Sequence, residues 1–548
     1  MADFYTRFRD PMTLTIRHTG ESRYPEVLAL GPGLRRGDSS GMTTFLPTRF
    51  VQTFFILCMA MFADATMAAR GATPLELRVM TFNVEYGGTV VDFDKVVEAI
   101  RVAKPDIVGL EEPAGNTRVI ARRLGWDHAS TRTDVISRFP IIDPPGGDGR
   151  YVFVEVRPNE VVAVANVHLS SDPYGPNLAQ RGESVEKVLA LEQALRVPEI
   201  VPNLRVLPPL ARAGVPVFML GDFNSPSHLD WTPQAVGLRA HIPYPVAWPV
   251  SSAISAAGFT DSFRDAHPDP LTAPGLTWWA PRPSTEDVYT GADPLDRIDF
   301  VFAAGPATTL GSIVIGEAGH RDVTLSVTPW PSDHRAVLST FSVVPAPAPV
   351  MVAVNDQRLV VAGTPLQVHF WRRGAAGEGI AIYGPEGQGR EIPGVRFNVD
   401  DPRSGTVSLV THELQAGAHE VLLKSAAGEV LSRAPFWVKQ APDMTEVALD
   451  KQVYGPGEPI TMRWHNGPGN RWDWIAIYAS AAGAAADPAR NKQVIWRYTG
   501  SQIEGEIVVD AHLQDLGAWP LTPGHYTLFY MQHDDYEPLA SATFEIRE

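Results

Sequence analysis

The chain has 548 residues, 44% of them apolar and 20% charged, and a formal net charge of −16. That length accommodates about three or four domains with sizeable cores. The acidic balance repels polyanions at long range and argues against strong general affinity for nucleic acid, although a local basic groove stays compatible with it. The single cysteine, Cys58, excludes a disulfide framework and a thiolate zinc site.

Residues 1–41 are rich in Arg, Pro and Gly and lack sustained apolar periodicity, so they read as a non-native or disordered extension ahead of Met42. Residues 42–69 read as a signal peptide. Arg49 supplies the positive charge, Val51 to Ala63 the apolar core, and Ala63-Asp64-Ala65 or Met67-Ala68-Ala69 the small residues of a cleavage site. The apolar run is short for a membrane span. The expectation is a secreted or periplasmic protein whose mature chain has no transmembrane span and no cysteine; an uncleaved anchor is the alternative.

Residues 72–344 alternate strand-like and helix-like segments, which predicts a layered α/β domain. Leu75, Leu77 and Val79 alternate as in a strand. Phe93, Val96, Val97, Ile100 and Ala103 recur at helical spacing after Asp92, a candidate N-cap, and Pro105 stops that helix. Asp106-Ile107-Val108-Gly109-Leu110 is a second apolar strand. Val152–Val156 and Val161–Leu169 flank Pro158-Asn159, a candidate hairpin turn. Glu183 to Leu195 reads as a helix, and Val215 to Leu220, Ile298 to Phe302 and Ala336 to Val343 as strands.

Pro345-Ala346-Pro347-Ala348-Pro349 reads as a stiff linker over 345–349 that cannot pair in a sheet, with a proline-rich edge strand as the alternative. Beyond it the chain repeats itself. Gly363-Thr364-Pro365-Leu366 leads to Ile380-Ala381-Ile382-Tyr383, as Gly457-Glu458-Pro459-Ile460 leads to Ile475-Ala476-Ile477-Tyr478. Gly417-Ala418-His419 matches Gly524-His525-Tyr526, and Phe436 matches Phe544. Short strands with Gly/Pro turns predict two immunoglobulin-like β-sandwiches, residues 350–440 and 444–548.

Polar residues stand where the strands of the first domain end. They are Asn83 and Glu85, Glu111-Glu112, His168, Asp222-Phe223-Asn224, Asp261, Asp296 and Asp299, and Asp333-His334. Carboxylates, amides and imidazoles gathered at sheet ends suit a hard divalent cation and a phosphate. Singly, each has a plain alternative. Asp-x-Asn after a strand is an ordinary turn, a lone strand histidine is usually a satisfied one, and Asp261 with Ser262 can simply cap a turn.

Taken in order, Thr81-Phe82-Asn83, Asp106 to Glu112, Val167-His168-Leu169, Gly221-Asp222-Phe223-Asn224, Arg297-Ile298-Asp299 and Ser332-Asp333-His334 resemble the endonuclease/exonuclease/phosphatase superfamily. Its members include deoxyribonucleases, apurinic endonucleases, sphingomyelinases and inositol polyphosphate phosphatases. The resemblance covers about half of the chain. It implies a four-layered α/β sandwich and a Mg²⁺- or Mn²⁺-dependent hydrolysis of a phosphodiester or phosphomonoester by water. It also implies roles. Glu112 is the main metal ligand, with Asn83 beside it, Asp333 at the metal edge and Glu85 of second rank. Asp222 orients or deprotonates water, Asn224 and His168 hold phosphate oxygens, and His334 contacts the phosphate with Asp299 fixing its ring. Glu111, where many relatives carry Gln, is packing or an added charge. Phe223-Asn224-Ser225-Pro226 departs from the Leu-Asn-Tyr-Arg of inositol phosphatases.

The substrate classes left open are nucleic acid, phospholipid and small phosphodiesters, which makes extracellular nuclease and sphingomyelinase-like enzyme the two specific readings. The other class of reading is a surface binding module with a dormant enzyme domain. Ser171 to Pro176 is a substrate-side loop or a surface turn. Trp278-Trp279 stacks bases or packs under the site. Asp473-Trp474-Ile475-Ala476-Ile477-Tyr478 looks like a motif of SKICH-type sandwiches, with Glu378-Gly379 in place of Asp-Trp in the first copy. An exposed Trp474 would favour surface or lipid contact through the sandwiches; a buried one would mean core.

Overall fold

Two sheets packed face to face form the centre of the first domain. One runs in the order Val323–Ser326, Ala307–Gly316, Ala336–Val343, Leu75–Asn83, Ile107–Glu111, Val135–Ser137 and His128–Ser130. The other runs Ile141–Ile142, Val152–Arg157, Glu160–His168, Val217–Asp222, Asp299–Ala304 and Thr260–Asp261. Strand alternation decides what lies between them. Leu77 and Val79 turn inward to meet Val162, Val164, Phe218, Leu220 and Phe341. Met80 and Phe82 turn outward beneath the helices Phe93–Ala103 and Thr117–Leu124. On the opposite outer face Ile200, Leu207 and Ile254, from the helices Arg196–Arg212 and Pro249–Ala256, cover Val217, Met219 and Phe300. The result is the expected four-layered α/β sandwich. The structure, a computed structural model, describes residues 73–239, 241–281, 294–355, 358–384, 391–488, 491, 493–510, 519–533, 536 and 538–548. The extension over 1–41 and the signal peptide over 42–69 lie outside the described residues.

Local signals act as their chemistry dictates. Asp92 accepts from Asp94 N–H and starts the helix Phe93–Ala103, and Lys104 ends it in the left-handed region. Pro158-Asn159 closes the hairpin between Val152–Arg157 and Glu160–His168, with Asn159 at φ 61°. The helix Arg196–Arg212 was not expected, because Pro202, Pro208 and Pro209 lie inside it.

The linker expectation needs correction. Ala346 and Pro347 pair antiparallel with Val161 and Glu160 at the start of the strand Glu160–His168, and Ala348 N–H donates to Asn159 O. Proline removes only its own donor, so a Pro/Ala alternation still pairs briefly through alanine.

Each repeat is a sheet of three strands packed on a sheet of five, with the same strand order in both copies. The cores hold Val368, Phe370, Ile380, Ile382 and Phe436 in the first copy and Met462, Trp464, Ile475, Ile477 and Phe544 in the second. Leu75–Glu548 cluster as one compact unit. Met351, Ala353 and Trp371 of the first repeat join the core cluster of Ile142 and Phe153. Among the described residues no helix is long and apolar enough to cross a membrane.

Candidate active site

The site lies where strands of both sheets end side by side. Leu75–Asn83 and Ile107–Glu111 run parallel, with Asn83 opposite Glu111. In the other sheet His168 pairs with Asp222, and Asp222 with Asp299. Two glycines permit the close approach. A Cβ on Gly221, at φ +139°, would stand 1.8 Å from Val167 O, and one on Gly109 would stand 2.4 Å from Asn166 Oδ1. Glu85, Glu112 and Asn224 hold positive φ of 54°, 54° and 47°, which is unusual outside glycine and recurs at functional sites.

Asp222 stands between two imidazoles. Its Oδ2 is 3.5 Å from His168 Nε2 and 3.6 Å from His334 Nε2. Asp299 lies behind His334, with Oδ2 3.0 Å from Nδ1. Asn83 Nδ2 donates to Asp222 Oδ2 and to Glu112 Oε1, both at 3.2 Å, and so joins the histidine side of the site to its acidic side. On the acidic side Tyr86 N–H donates to Glu112 Oε2 and Asp333 N–H to Glu85 Oε2. Ser332 latches the last loop by donating to Asn83 O at 2.7 Å.

Burial and charge set the protonation states. Desolvation would lower His334, but Asp299, Asp222 and Asp333 together hold its imidazole well above the usual value, so it is cationic at neutral pH. Desolvation wins at His168, which is lowered and stays neutral despite Asp222. Burial raises Asp222 to about 6, against the pull of His334. One cationic imidazole, one neutral imidazole and a carboxylate poised near neutrality separate donor from acceptor duties within a few ångströms.

The structure brings all nine candidate residues to one place, but not all in the expected posture. Asn224 Nδ2 donates to Leu169 O and to Asp222 Oδ2, so the amide braces Asp222. Glu111 turns under the site, accepts from Thr81 Oγ1, and is pushed well above the carboxylate range by burial and then by Asp299 and Asp222. Asp261 lies outside. It caps the helix Ser262–Ala266 and, with Asp230, holds Arg297 through ion pairs of 2.8 and 2.9 Å. Trp278 is half-buried, its ring 6.4 Å from His334 and 5.4 Å from Tyr174. The segment Ser171 to Pro176 is tied down by Arg196, which donates to Ser171 O and Pro173 O. Trp474 is buried, yet on the outer face of the five-stranded sheet of the second repeat, beside Tyr478 and Phe529.

Sequence reasoning missed Arg471 and Trp472, which reach this site from the second repeat. Arg471 Nη1 donates to Asn166 O at 2.5 Å, and the Trp472 ring lies edge-on to His168 at 6.3 Å. The available signal was an Arg-Trp pair in a Gly/Pro-rich loop that has no counterpart in the first copy.

A hard divalent cation fits the acidic side. Glu112 is raised by burial and then by Asp333, and Tyr86 by burial and then by Glu112 and Asp333, so negative charge accumulates there around oxygen donors. Asn83, Glu112, Asp333 and Glu85 offer that donor set. Asp222, Asp299 and His334 also place ligand atoms within 4.8 Å of one another and could themselves hold an ion.

The chain is 29% identical to an uncharacterized protein of Caenorhabditis elegans over 317 residues, 53% of this chain and 99% of that one. Among solved structures it is similar to an endonuclease/exonuclease/phosphatase from Beutenbergia cavernae, with 19% identity, 66% of this chain and 99% of that chain covered, and a TM-score of 0.32. It is also similar to a mannosyl-6-phosphatase from Bacteroides thetaiotaomicron, with 14% identity, 48% and 99% covered, and a TM-score of 0.31. Residues 80–334, which carry every candidate residue, match the model of the Endonuclease/Exonuclease/phosphatase family.

Proposed function

We propose that the protein is an exported, divalent-cation-dependent phosphoesterase that hydrolyses a phosphodiester or phosphomonoester by direct attack of water. The observation that carries this reading is Asp222 held between a neutral and a cationic imidazole, with an oxygen-rich acidic cluster joined to it through Asn83. Asp222 takes the proton of the attacking water. The water oxygen bonds to phosphorus, the bond from phosphorus to the leaving oxygen breaks, and that oxygen is protonated from solvent. His334, kept cationic and aimed by Asp299, donates to the phosphoryl oxygens as their charge grows, and neutral His168 donates beside it. Asn83 and Asn224 hold Asp222 in place. Glu112, Asn83, Asp333 and Glu85 would hold Mg²⁺ or Mn²⁺, which when bound neutralises charge on the phosphate and the leaving oxygen.

The test is hydrolysis of plasmid DNA, sphingomyelin, a chromogenic phosphodiester and a chromogenic phosphomonoester, with Mg²⁺ and with chelator. Chelation, Glu112→Ala and His334→Ala are each expected to lower turnover by about 10²-fold or more. Turnover that survives chelation and both substitutions would overturn the reading.

A further inference from the structure

The loop from Asn466 to Asp473 of the second repeat is built and not merely tethered. Asp473 accepts from Asn470 N–H at 2.8 Å, Asn470 Nδ2 at 3.1 Å and Tyr530 OH at 3.0 Å, and Asp473 is fully buried. These bonds fix a turn that projects the next-door residues toward the α/β domain. There Arg471 is committed to the backbone of the strand Glu160–His168, two residues before His168. Its guanidinium lies 4.6 Å from the Trp472 ring, so a cation–π contact holds that indole as well.

Trp472 is half-buried and begins a row of rings that leads away from the site. Its ring is 6.3 Å from His168 and 5.2 Å from Tyr498; Tyr498 is 5.1 Å from Trp496, Trp496 6.1 Å from Trp474, and Trp474 5.5 Å from Tyr536. The corresponding outer face of the first repeat carries Ala381, Tyr383 and Leu422. Aromatic density of this kind beside a phosphate-handling histidine suits a flat, weakly polar group, since indole offers area at little entropic cost. The acidic net charge of −16 disfavours a long polyanion as the occupant and favours a compact phosphoester.

We propose that the second β-sandwich is a wall of the active site, and that Trp472 receives the ring, a sugar or an aromatic base, of a phosphoester whose phosphate lies at His168. Trp472 is thus a specificity-determining residue supplied by a domain outside the α/β fold. This inference rests on the proposed phosphoesterase reading.

The experiment is calorimetric titration of the full-length protein, in Mg²⁺, with three non-hydrolysable phosphonates: phenylphosphonate, a hexose 6-methylenephosphonate and methylphosphonate. Wild type, Trp472→Ala and Trp472→Phe are compared, and their melting temperatures confirm that all three fold. Trp472→Ala is expected to weaken at least one ring-bearing ligand by about tenfold or more, to leave methylphosphonate unchanged, and Trp472→Phe to retain most of the affinity. The ligand that weakens tells an aromatic base from a sugar. Equal weakening of all three ligands would reduce Trp472 to a prop for His168 and overturn the proposal, as would a wild type that binds the ring-bearing ligands no better than methylphosphonate. Failure of the phosphoesterase reading has a different signature, ligand binding without turnover of any phosphoester.

Discussion

The two repeats share one strand order, and one of the loops in which they differ reaches the candidate site. In the first copy the loop between the strands Leu366–Trp371 and Gly379–Tyr383 closes on itself. Glu378, fully buried, accepts from Arg372 Nη1 at 3.2 Å and from the N–H groups of Gly374 and Ala375, while Arg372 also donates to carbonyls of Pro402, Ala375 and Asn398. In the second copy the acid is Asp473, and its partners are an amide and a tyrosine hydroxyl. Among the described residues no arginine pairs with it, and the arginine of that loop, Arg471, is directed outward into the neighbouring domain. The same fold therefore uses one buried acid to shut a loop and the other to present one. The difference lies in where the positive charge goes.

The largest test breaks the closed loop. Arg372→Met leaves Glu378 buried without its cation, which is expected to cost about 3–5 kcal/mol of unfolding free energy. Denaturant titration measures that loss, and kcat of the protein that remains folded should hold at its wild-type value. A loss confined to activity would mean that the first loop also serves the site.

The second test uses the acid of the open loop. Burial raises Asp473 to about 6 from an ordinary 3.8, so the folded state holds a proton that the unfolded chain releases earlier. The sign follows directly. This residue's contribution favours the folded state below about pH 4, is lost as pH rises to about 6, and is flat above. The full swing is about 3 kcal/mol. Asp473→Asn, neutral throughout, should remove that slope from the melting temperature measured at intervals between pH 4 and pH 7. An unchanged slope would show that another group titrates.

These loops also show what the sequence does and does not make legible. The duplication was readable because strands and turns repeat at matched positions, and the candidate residues of the α/β domain stand out because they recur beside strand ends in a fixed order. The sequence leaves open both the burial of Trp474 and the side of the sheet it occupies, since a tryptophan beside a strand start reads alike on either face. The phosphate role of Asn224 is what the family resemblance implies; only the positions of Leu169 O and Asp222 reveal that its donors are taken. Arg471 and Trp472 escaped because their partners, Asn166 and His168, lie in another domain far along the chain, and no local pattern encodes such a meeting.

The smallest expected effect is the most discriminating. Arg471→Met removes a charged donor from Asn166 O and the cation beside the Trp472 ring, but leaves Asp473 and its partners intact. Met covers much of the same volume, so unfolding free energy should fall by no more than about 1–3 kcal/mol, the worth of a hydrogen bond to a charged group. His168, two residues from the lost contact, should then move by a fraction of an ångström, enough to lower kcat/KM by about tenfold. Arg372→Met and Arg471→Met thus invert each other: the first costs stability and spares turnover, the second costs turnover and largely spares stability. Measuring both quantities on both variants decides whether the divergence of the two loops is a change of function or a change of fastening, because a shared pattern of losses would leave the second loop as a second lock on the fold.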